Sequence, residues 1–292
     1  MINFSFIIPH HNSPDLLRRC LASIPQRSDM EIIIIDDNSN ANYLEANRFP
    51  GLNRPDTVCI FDKSGLGAGH ARNIGLERAK GKWLIFADAD DWFTSELTCL
   101  LDSYADDEKT DIVFFNYYKV DELSRSCEMP VSIYIKNYKN KRFCSEKVLR
   151  YSAWSPWSRM FKRSIQEENN IRFEELPFSN DMMFVLNMTK QASTISVYEK
   201  PIYNYYCPST GSQTSAKFYS KEAIQLRYEG KLKLRRFYYS VDYKIISPLW
   251  REVKALKIPV NKDLKEKYNY SRYNEVIDTI LYFGAKLLRI IQ

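Results

Sequence analysis

Unbroken apolar runs alternate with stretches of helical spacing through the first 120 residues. FSFIIPHHN (4–12) reads as a buried strand stopped by Pro9. Asn12-Ser13-Pro14-Asp15 then reads as a helix entry, with Ser13 at the N-cap and Pro14 at the first helical position. Leu16, Leu17, Cys20, Leu21 and Ile24 follow at helical spacing. EIIIIDDNSN (31–40) predicts a second strand buried on both faces, and Val58 to Phe61 a third. Residues 65–80 predict a glycine-rich loop and a helix. Trp83 to Ala87 forms the fourth strand, Ser95 caps a helix running through Leu101, and TDIVFFNYY (110–118) is the fifth strand. Apolar strands alternating with helices mean an α/β fold: a mostly parallel sheet flanked by helices on both faces. Ligands of such sheets bind beyond the carboxyl ends of the strands. There the polar residues gather: His10-His11-Asn12, Asp36-Asp37 and Asp88 to Asp91.

The pattern loosens into shorter aromatic-rich elements from about residue 120. Residues 221–292 read as a helical extension rich in Lys, Arg and Tyr. At 292 residues and 45% hydrophobic, the chain has the length and apolar content for a sizeable core. Met1-Ile2-Asn3-Phe4 leads straight into a strand without a basic n-region, so no cleaved leader is expected. No apolar run reaches the ~20 residues of a spanning helix. Six scattered cysteines form no CxxC pair, and His10, His11 and His70 complete no zinc site, which points to reduced thiols in the cytoplasm. Net charge divides by region. Residues 221–292 hold 16 Lys+Arg and 8 Asp+Glu, a net of +8, and the rest nets −2. That is a solvated helical face or an attraction to an anionic partner such as a membrane surface.

The candidate chemistry centres on KWLIFADADDWF (82–93). Alternate side chains of an extended segment point the same way, which puts Asp88 and Asp90 on one side. Two carboxylates aimed together repel unless a cation lies between them. Hard oxygen ligands with open positions suit Mg²⁺ or Mn²⁺, ions that carry diphosphates. The structural alternative is a polar turn. Other motifs fail. Gly65-Leu66-Gly67-Ala68-Gly69-His70 has His where a dinucleotide fingerprint needs its third glycine. Gly75 to Lys82 has one residue too many for a P-loop, and no Ser lies in a GxSxG elbow.

With these residues in view, the chain resembles the family 2 glycosyltransferases, which have the GT-A fold. IIPHHN with LLRRCLASI resembles the family's first strand and helix. EIIIIDDNS is similar to its second strand. GLGAGHARNIGLERAKGKWLIFADADD is similar to its glycine-rich segment, Ala-Arg-Asn and aspartate motif. WSPWSRMFKRS (154–164) and IRFEELPFSNDMMF (171–184) resemble acceptor-side segments, and TGSQT (210–214) a Gly-Ser-x-Thr element. The resemblance, which covers roughly residues 4–215, implies a nucleotide-sugar half at 1–118 and an acceptor half at 119–220, followed by the basic helical region at 221–292. It implies donor-site roles for Pro9, His11, Asp37, Arg72, Asp88 and Asp90, with Asp90 and Asp88 holding Mn²⁺ or Mg²⁺. It makes Asp181 the catalytic base and places Asp91 and Trp157 toward the acceptor. The activity implied is inverting transfer of a hexose-type sugar from a UDP-sugar to a saccharide, free or lipid-linked, in bacterial surface polysaccharide synthesis. A nucleotidyltransferase and a non-catalytic saccharide-binding relative are the alternatives, and no nucleic-acid partner is expected. The C-terminal helix, Tyr273 to Gln292, either packs on the domain or lies on the inner face of the cell membrane.

The chain departs from the family pattern in three places. Asn180-Asp181 stands where many relatives have Glu-Asp, His10-His11 replaces Val-Tyr, and Cys207-Pro208 stands where Arg often precedes the Gly-Ser-x-Thr element. Individual residues also have structural readings: Asp36 and Asp91 as caps, Arg72 as an ion-pair partner, Trp154 and Trp157 as core packing, Asp181 as an N-cap.

Overall fold

The apolar runs become strands covered on both faces. β1 (Phe4–His10), β2 (Met30–Asp37), β3 (Thr57–Asp62) and β4 (Trp83–Phe86) lie in the order β3-β2-β1-β4, all parallel. Every residue of β1 and β4 is buried. The computed structural model describes residues 1–44, 49–123, 126–128, 131–177, 179–208, 221–243, 266–268 and 276. Beyond β4 the sheet continues through β8 (Arg159–Lys162), β6 (Ile112–Val120), β9 (Ile195–Tyr206) and β5 (Trp92–Phe93). β7 (Ser126–Glu128) pairs with β6. This half is mixed: β6 and β9 run parallel, while β4–β8, β6–β8 and β5–β9 are antiparallel. The fifth strand foreseen at 110–118 is β6, and β8 separates it from β4.

The helices are α1 (Pro14–Ala22), α2 (Ala68–Arg78), α3 (Leu97–Tyr104), α4 (Val131–Lys139), α5 (Ser145–Ser152), α6 (Arg163–Glu168), α7 (Met182–Gln191) and α8 (Lys221–Ser240). Strand alternation distributes them. Phe4, Phe6, Ile8, Ile32 and Ile34 form one cluster with Leu17, Cys20 and Leu21 of α1 and Leu97, Leu100 and Leu101 of α3. The opposite face carries Ile7 and Ile35, against which α2 packs closely. A Cβ on Gly75 would lie 2.4 Å from Ile7 Cγ2, so only glycine permits that approach. Phe86 on the same face meets the rings of Phe173 and Phe184 at 5.1 and 5.4 Å.

Three local expectations are corrected. β1 does not stop at Pro9 but runs to His10. Ala87 N donates to Ile7 O at 3.2 Å, so the β4-facing groups of β1 fall at Ile7 and then Pro9. β4 has ended by Pro9, and its missing N–H costs no ladder bond there. Ser13 holds the N-cap position of α1 without a side-chain capping bond; its backbone N–H donates instead to His10 Nε2 at 3.1 Å. Ser95 does not cap α3, which starts at Leu97 behind Glu96.

The chain divides into two compact units, Met1–Lys136 with Ala153–Ser209, and Asn137–Ser152 with Thr210–Gln292. The boundary expected at 118/119 falls inside β6. In the second unit, Tyr238 of α8 donates its hydroxyl to Tyr151 O of α5 at 2.5 Å, and Tyr151 packs against Phe237 and Tyr243. Among the described residues no helix is long and apolar enough to cross a membrane, and Cys20, Cys59, Cys99, Cys144 and Cys207 are free. The Gly-Ser-x-Thr element at 210–214 lies outside the described residues, as does the 273–292 segment apart from Val276.

Candidate active site

The acidic motif is a turn, not a continued strand. β4 ends at Phe86, and Asp91 N donates to Asp88 O at 3.1 Å, closing four residues on themselves. Strand alternation therefore does not set where Asp88 and Asp90 point. Outside groups hold it. Asp88 N donates to Tyr203 Oη at 2.9 Å, and Tyr206 N donates to Asp91 Oδ1 at 2.7 Å. Arg19 Nη2 donates to Asp90 O at 2.5 Å. Asp88 is half-buried, Asp90 opens to solvent on one side, and Asp91 is fully buried.

This burial separates the three acids. The Asp90 carboxyl is pushed up to about 6 by loss of solvent around its recessed end and then by the neighbouring Asp88 charge. Asp91 is held well above the carboxylate range by burial and by Asp88 and Asp90, tempered by Tyr206 N–H and the nearby Tyr203 hydroxyl. Its Oδ2 makes no hydrogen bond. Asp91 thus neither caps a helix nor reaches out to an acceptor. It is a buried strut between the turn and β9, because Trp92 starts β5 and carries the chain straight into the sheet.

Arg72, from α2, lies beside the turn. Its Nη2 donates to Asp88 Oδ1 at 2.5 Å and its Nη1 to Asn180 Oδ1 at 3.0 Å. The guanidinium is buried and lies 5.4 Å from the Phe173 ring. Arg72 therefore pairs with an acid, and that acid belongs to the site. Asn180 accepts without a charge of its own, where a glutamate would have neutralised Arg72 a second time. Asn73 forms a reciprocal pair with Phe173, Nδ2 to O at 3.1 Å and N to Oδ1 at 2.9 Å, which fastens the 173–180 segment to α2.

That fastening requires Gly69. A Cβ there would meet Glu174 O at 2.2 Å and Asn180 Cβ at 3.1 Å. Gly69→Ala is expected to destabilise the protein by about 1–3 kcal/mol, the usual penalty of overpacking. It is also expected to separate Arg72 from Asn180. Melting curves and donor titration check both effects; unchanged values in both would show that the two segments need not touch.

Asp181 follows at the N-cap position of α7, yet its carboxylate makes no capping bond. Its pKa is raised, chiefly by burial, with Arg72 opposing and Asp88 assisting. It is a partly buried carboxylate that feels the charges of Arg72 and Asp88. Arg159 on β8 is fully buried over the Phe114 ring at 4.6 Å, and Nη2 donates to Ala153 O at 2.8 Å. Burial pushes its guanidinium down to about 9, against the pull of Tyr117 and Asp181.

The other strand ends carry the nucleoside-side candidates. Asn12 and Asn38 take φ of 52° and 55°, the left-handed turn that asparagine tolerates, and they bend the chain after β1 and β2. Asp36 is structural: His10 Nδ1 lies 2.7 Å from its Oδ1, and Ser39 donates through N and Oγ at 3.0 and 2.5 Å. Burial alone would raise Asp36, but these bonds hold it below its ordinary value. Because Ser13 N donates to His10 Nε2, His10 must carry its proton on Nδ1 and donate it to Asp36. Asp37 lies at the end of β2 and accepts from Gly67 N at 3.2 Å. Exposed His11 is oriented by its Nδ1 against Asp37 O at 2.7 Å, and Pro9 is buried beneath it in β1.

Trp157 offers no open face. It is 6% exposed, stacked on Tyr203 and Tyr205 at 4.9 and 5.2 Å, with Tyr117 edge-on at 4.6 Å. Its role is to hold the β9 tyrosines that carry the acidic turn. Trp154, at 37% exposure, is the more open of the two tryptophans. Sequence reasoning missed Arg19, Tyr203 and Tyr206, since all three act through backbone contacts that leave no motif. A hollow of about 600 Å³ lies at the amino ends of the strands, lined by Ile2, Arg27, Met30 and Thr57, and holds none of these groups.

Among the described residues the strands form one nine-stranded α/β sheet flanked by helices, and this fold is that of the GT-A glycosyltransferases. The model of the glycosyl transferase family 2 matches residues 5–169, and the chain belongs to that family. It is 25% identical over 306 residues to the cholesterol galactosyltransferase of Borreliella burgdorferi, covering 95% of this chain and 82% of that one. It is 24% identical over 242 residues to the uncharacterized glycosyltransferase EpsJ of Bacillus subtilis, covering 80% and 70%. It is 23% identical over 227 residues to the poly(ribitol-phosphate) beta-N-acetylglucosaminyltransferase TarS of Staphylococcus aureus, covering 76% of this chain and 38% of TarS. The crystal structure of TarS residues 1–349 with UDP-GlcNAc superposes with a TM-score of 0.66 at 18% identity, covering 96% of this chain and 89% of that one. The mannosyltransferase PcManGT from Pyrobaculum calidifontis, in complex with GDP-Man and Mn²⁺, gives 0.54 at 14% identity, covering 98% and 75%.

Proposed function

We propose that this protein is an inverting, metal-dependent glycosyltransferase that moves a hexose-type sugar from a UDP-sugar to a saccharide, in bacterial surface polysaccharide synthesis. The observation that carries the reading is the Asp88–Arg72–Asn180 bridge, which ties the acidic turn to the residue preceding Asp181. TarS bound to UDP-GlcNAc and PcManGT bound to GDP-Man and Mn²⁺ support a nucleotide-sugar donor.

The donor set fits a divalent ion. Among the described residues no cluster of three or more His, Cys, Asp or Glu forms a closed cage. Two carboxylates on an open turn are what Mg²⁺ or Mn²⁺ use when substrate phosphates and water complete the octahedron. Burial and then the Asp88 charge raise the Asp90 carboxyl, and a cation would favour its ionised form against both. Asp90 is the direct ligand in this reading, and Asp88, shared with Arg72, the supporting one. When bound there, the ion would supply Lewis-acid stabilisation of the leaving diphosphate.

The chain's own residues do the rest. Asp37 accepts from the base, with His11 and Pro9 beside it. Arg72 offsets negative charge on the departing nucleotide. Asp181 takes the proton of the acceptor hydroxyl as its oxygen attacks the anomeric carbon and the bond to UDP breaks. One displacement from the face opposite the leaving group inverts the configuration.

A thermal-shift panel of nucleoside diphosphates and their sugars, with and without Mn²⁺, tests the reading. A ligand that binds only the native state raises the melting point. Mn²⁺-dependent stabilisation by UDP and one UDP-sugar is expected. A well-folded sample that responds to no nucleotide would overturn it.

A further inference from the structure

Three residues in a row at the acidic turn, Asp90, Asp91 and Trp92, are each gripped from outside it, and Arg19 of α1 grips two of them. Its Nη2 donates to Asp90 O at 2.5 Å. Its guanidinium carbon lies 4.0 Å from the centroid of the Trp92 ring and 5.0 Å from that of Tyr206. Those two rings are 6.4 Å apart, so the guanidinium is shared by both. Tyr206 in turn donates its backbone N–H to Asp91. Arg19 Nε is buried and makes no hydrogen bond. A solvated arginine would not give up that bond, so the packing against the rings imposes this conformation.

We propose that Arg19 is a positioning residue that locks the Asp88–Asp91 turn in its metal-ready shape. This rests on the reading of Asp88 and Asp90 as metal ligands. The physical reason lies in which atom Arg19 binds. It bonds the Asp90 carbonyl and not the carboxylate, so the peptide is fixed while the side chain stays available for ligation. A planar, fork-shaped guanidinium can lie on a ring and bond a carbonyl at once; the ammonium of lysine supplies charge and a donor but no face.

The test is Mn²⁺ binding to the full chain in the presence of UDP, read by electron paramagnetic resonance or calorimetry. Arg19→Met keeps the apolar stem and loses both grips. It is expected to weaken Mn²⁺ about tenfold or more, the scale of one charge-assisted hydrogen bond. Arg19→Lys is expected to fall between Met and wild type. Unchanged Mn²⁺ affinity in a folded Arg19→Met would overturn the proposal. If that variant cannot be purified, Trp92→Leu replaces it, since this strips one ring from the guanidinium and leaves its charge; unchanged affinity there has the same meaning. Asp90→Ala separates the two ideas. If it keeps wild-type Mn²⁺ affinity, the metal reading fails and the clamp with it. If it loses Mn²⁺ while Arg19→Met does not, only the clamp fails.

Discussion

Asp181→Asn is expected to lower kcat by about 10²–10⁴-fold, the usual range for loss of a general base, while UDP and Mn²⁺ still bind. Asparagine keeps the shape and removes the proton acceptor. The fold should not suffer, because the Asp181 carboxylate makes no capping bond for α7. The linkage points the same way. Burial raises the folded-state pKa of Asp181, so its contribution to stability is fully present below the unfolded value and is lost as pH rises through the folded one. At neutral pH the ionised carboxylate is a burden that asparagine removes, and the variant should melt no lower than wild type. The same shift sets a rising limb in the pH profile of kcat/KM, above the ordinary carboxylate range, where Asp181 loses its proton. Steady-state rates and a melting curve on one preparation decide the matter. Normal turnover in the folded variant would remove Asp181 from the mechanism.

Asp90→Ala is the second large effect. Loss of groups behind a metal ligand already costs about 10–100-fold in affinity. Loss of the ligand itself should therefore cost at least about a hundredfold, and with it the Mn²⁺-dependent response to UDP-sugar. The variant should also differ without metal. Without metal, burial and then the Asp88 charge push the Asp90 carboxyl up to about 6, above the ordinary aspartate value. Its stabilising contribution is present below the lower value and lost as pH rises through the upper one. With a chelator present, wild type should lose stability between about pH 4 and 6 relative to Asp90→Ala. Mn²⁺ affinity of the wild type should fall as pH drops through about 6, because the ion competes with a proton. A variant that keeps Mn²⁺-dependent donor binding would move the metal elsewhere.

Much of the fold was readable because parallel strands buried on both faces leave unbroken apolar runs. β1, β2 and β4 are such runs, and each breaks to polar residues at its carboxyl end. The helices α1 and α2 were readable from spacing and glycines. The mixed half was not. β8 is four residues and β5 two, too short to carry a period, and their pairing depends on partners far along the chain. Candidate residues were readable by type, but their division of labour was not. Asp36, Asp37, Asp90 and Asp91 are alike in sequence. Only the fold makes Asp36 a partner of His10, buries Asp91 against Tyr206 N and leaves Asp90 open.

The boundary between the two kinds of information follows from range. Local composition and periodicity determined where strands end, and hence that acids, asparagines and histidines collect at one edge of an α/β sheet. Family membership was likewise legible in the order of short motifs along the chain. The tertiary structure alone decided which carboxylates are buried, paired or open. Burial, a backbone donor from residue 206 and a guanidinium from residue 19 or 72 reach across the sheet to set each charge. Electrostatics and desolvation depend on distance in space, and the residues around Asp88 do not record which distant groups stand beside it.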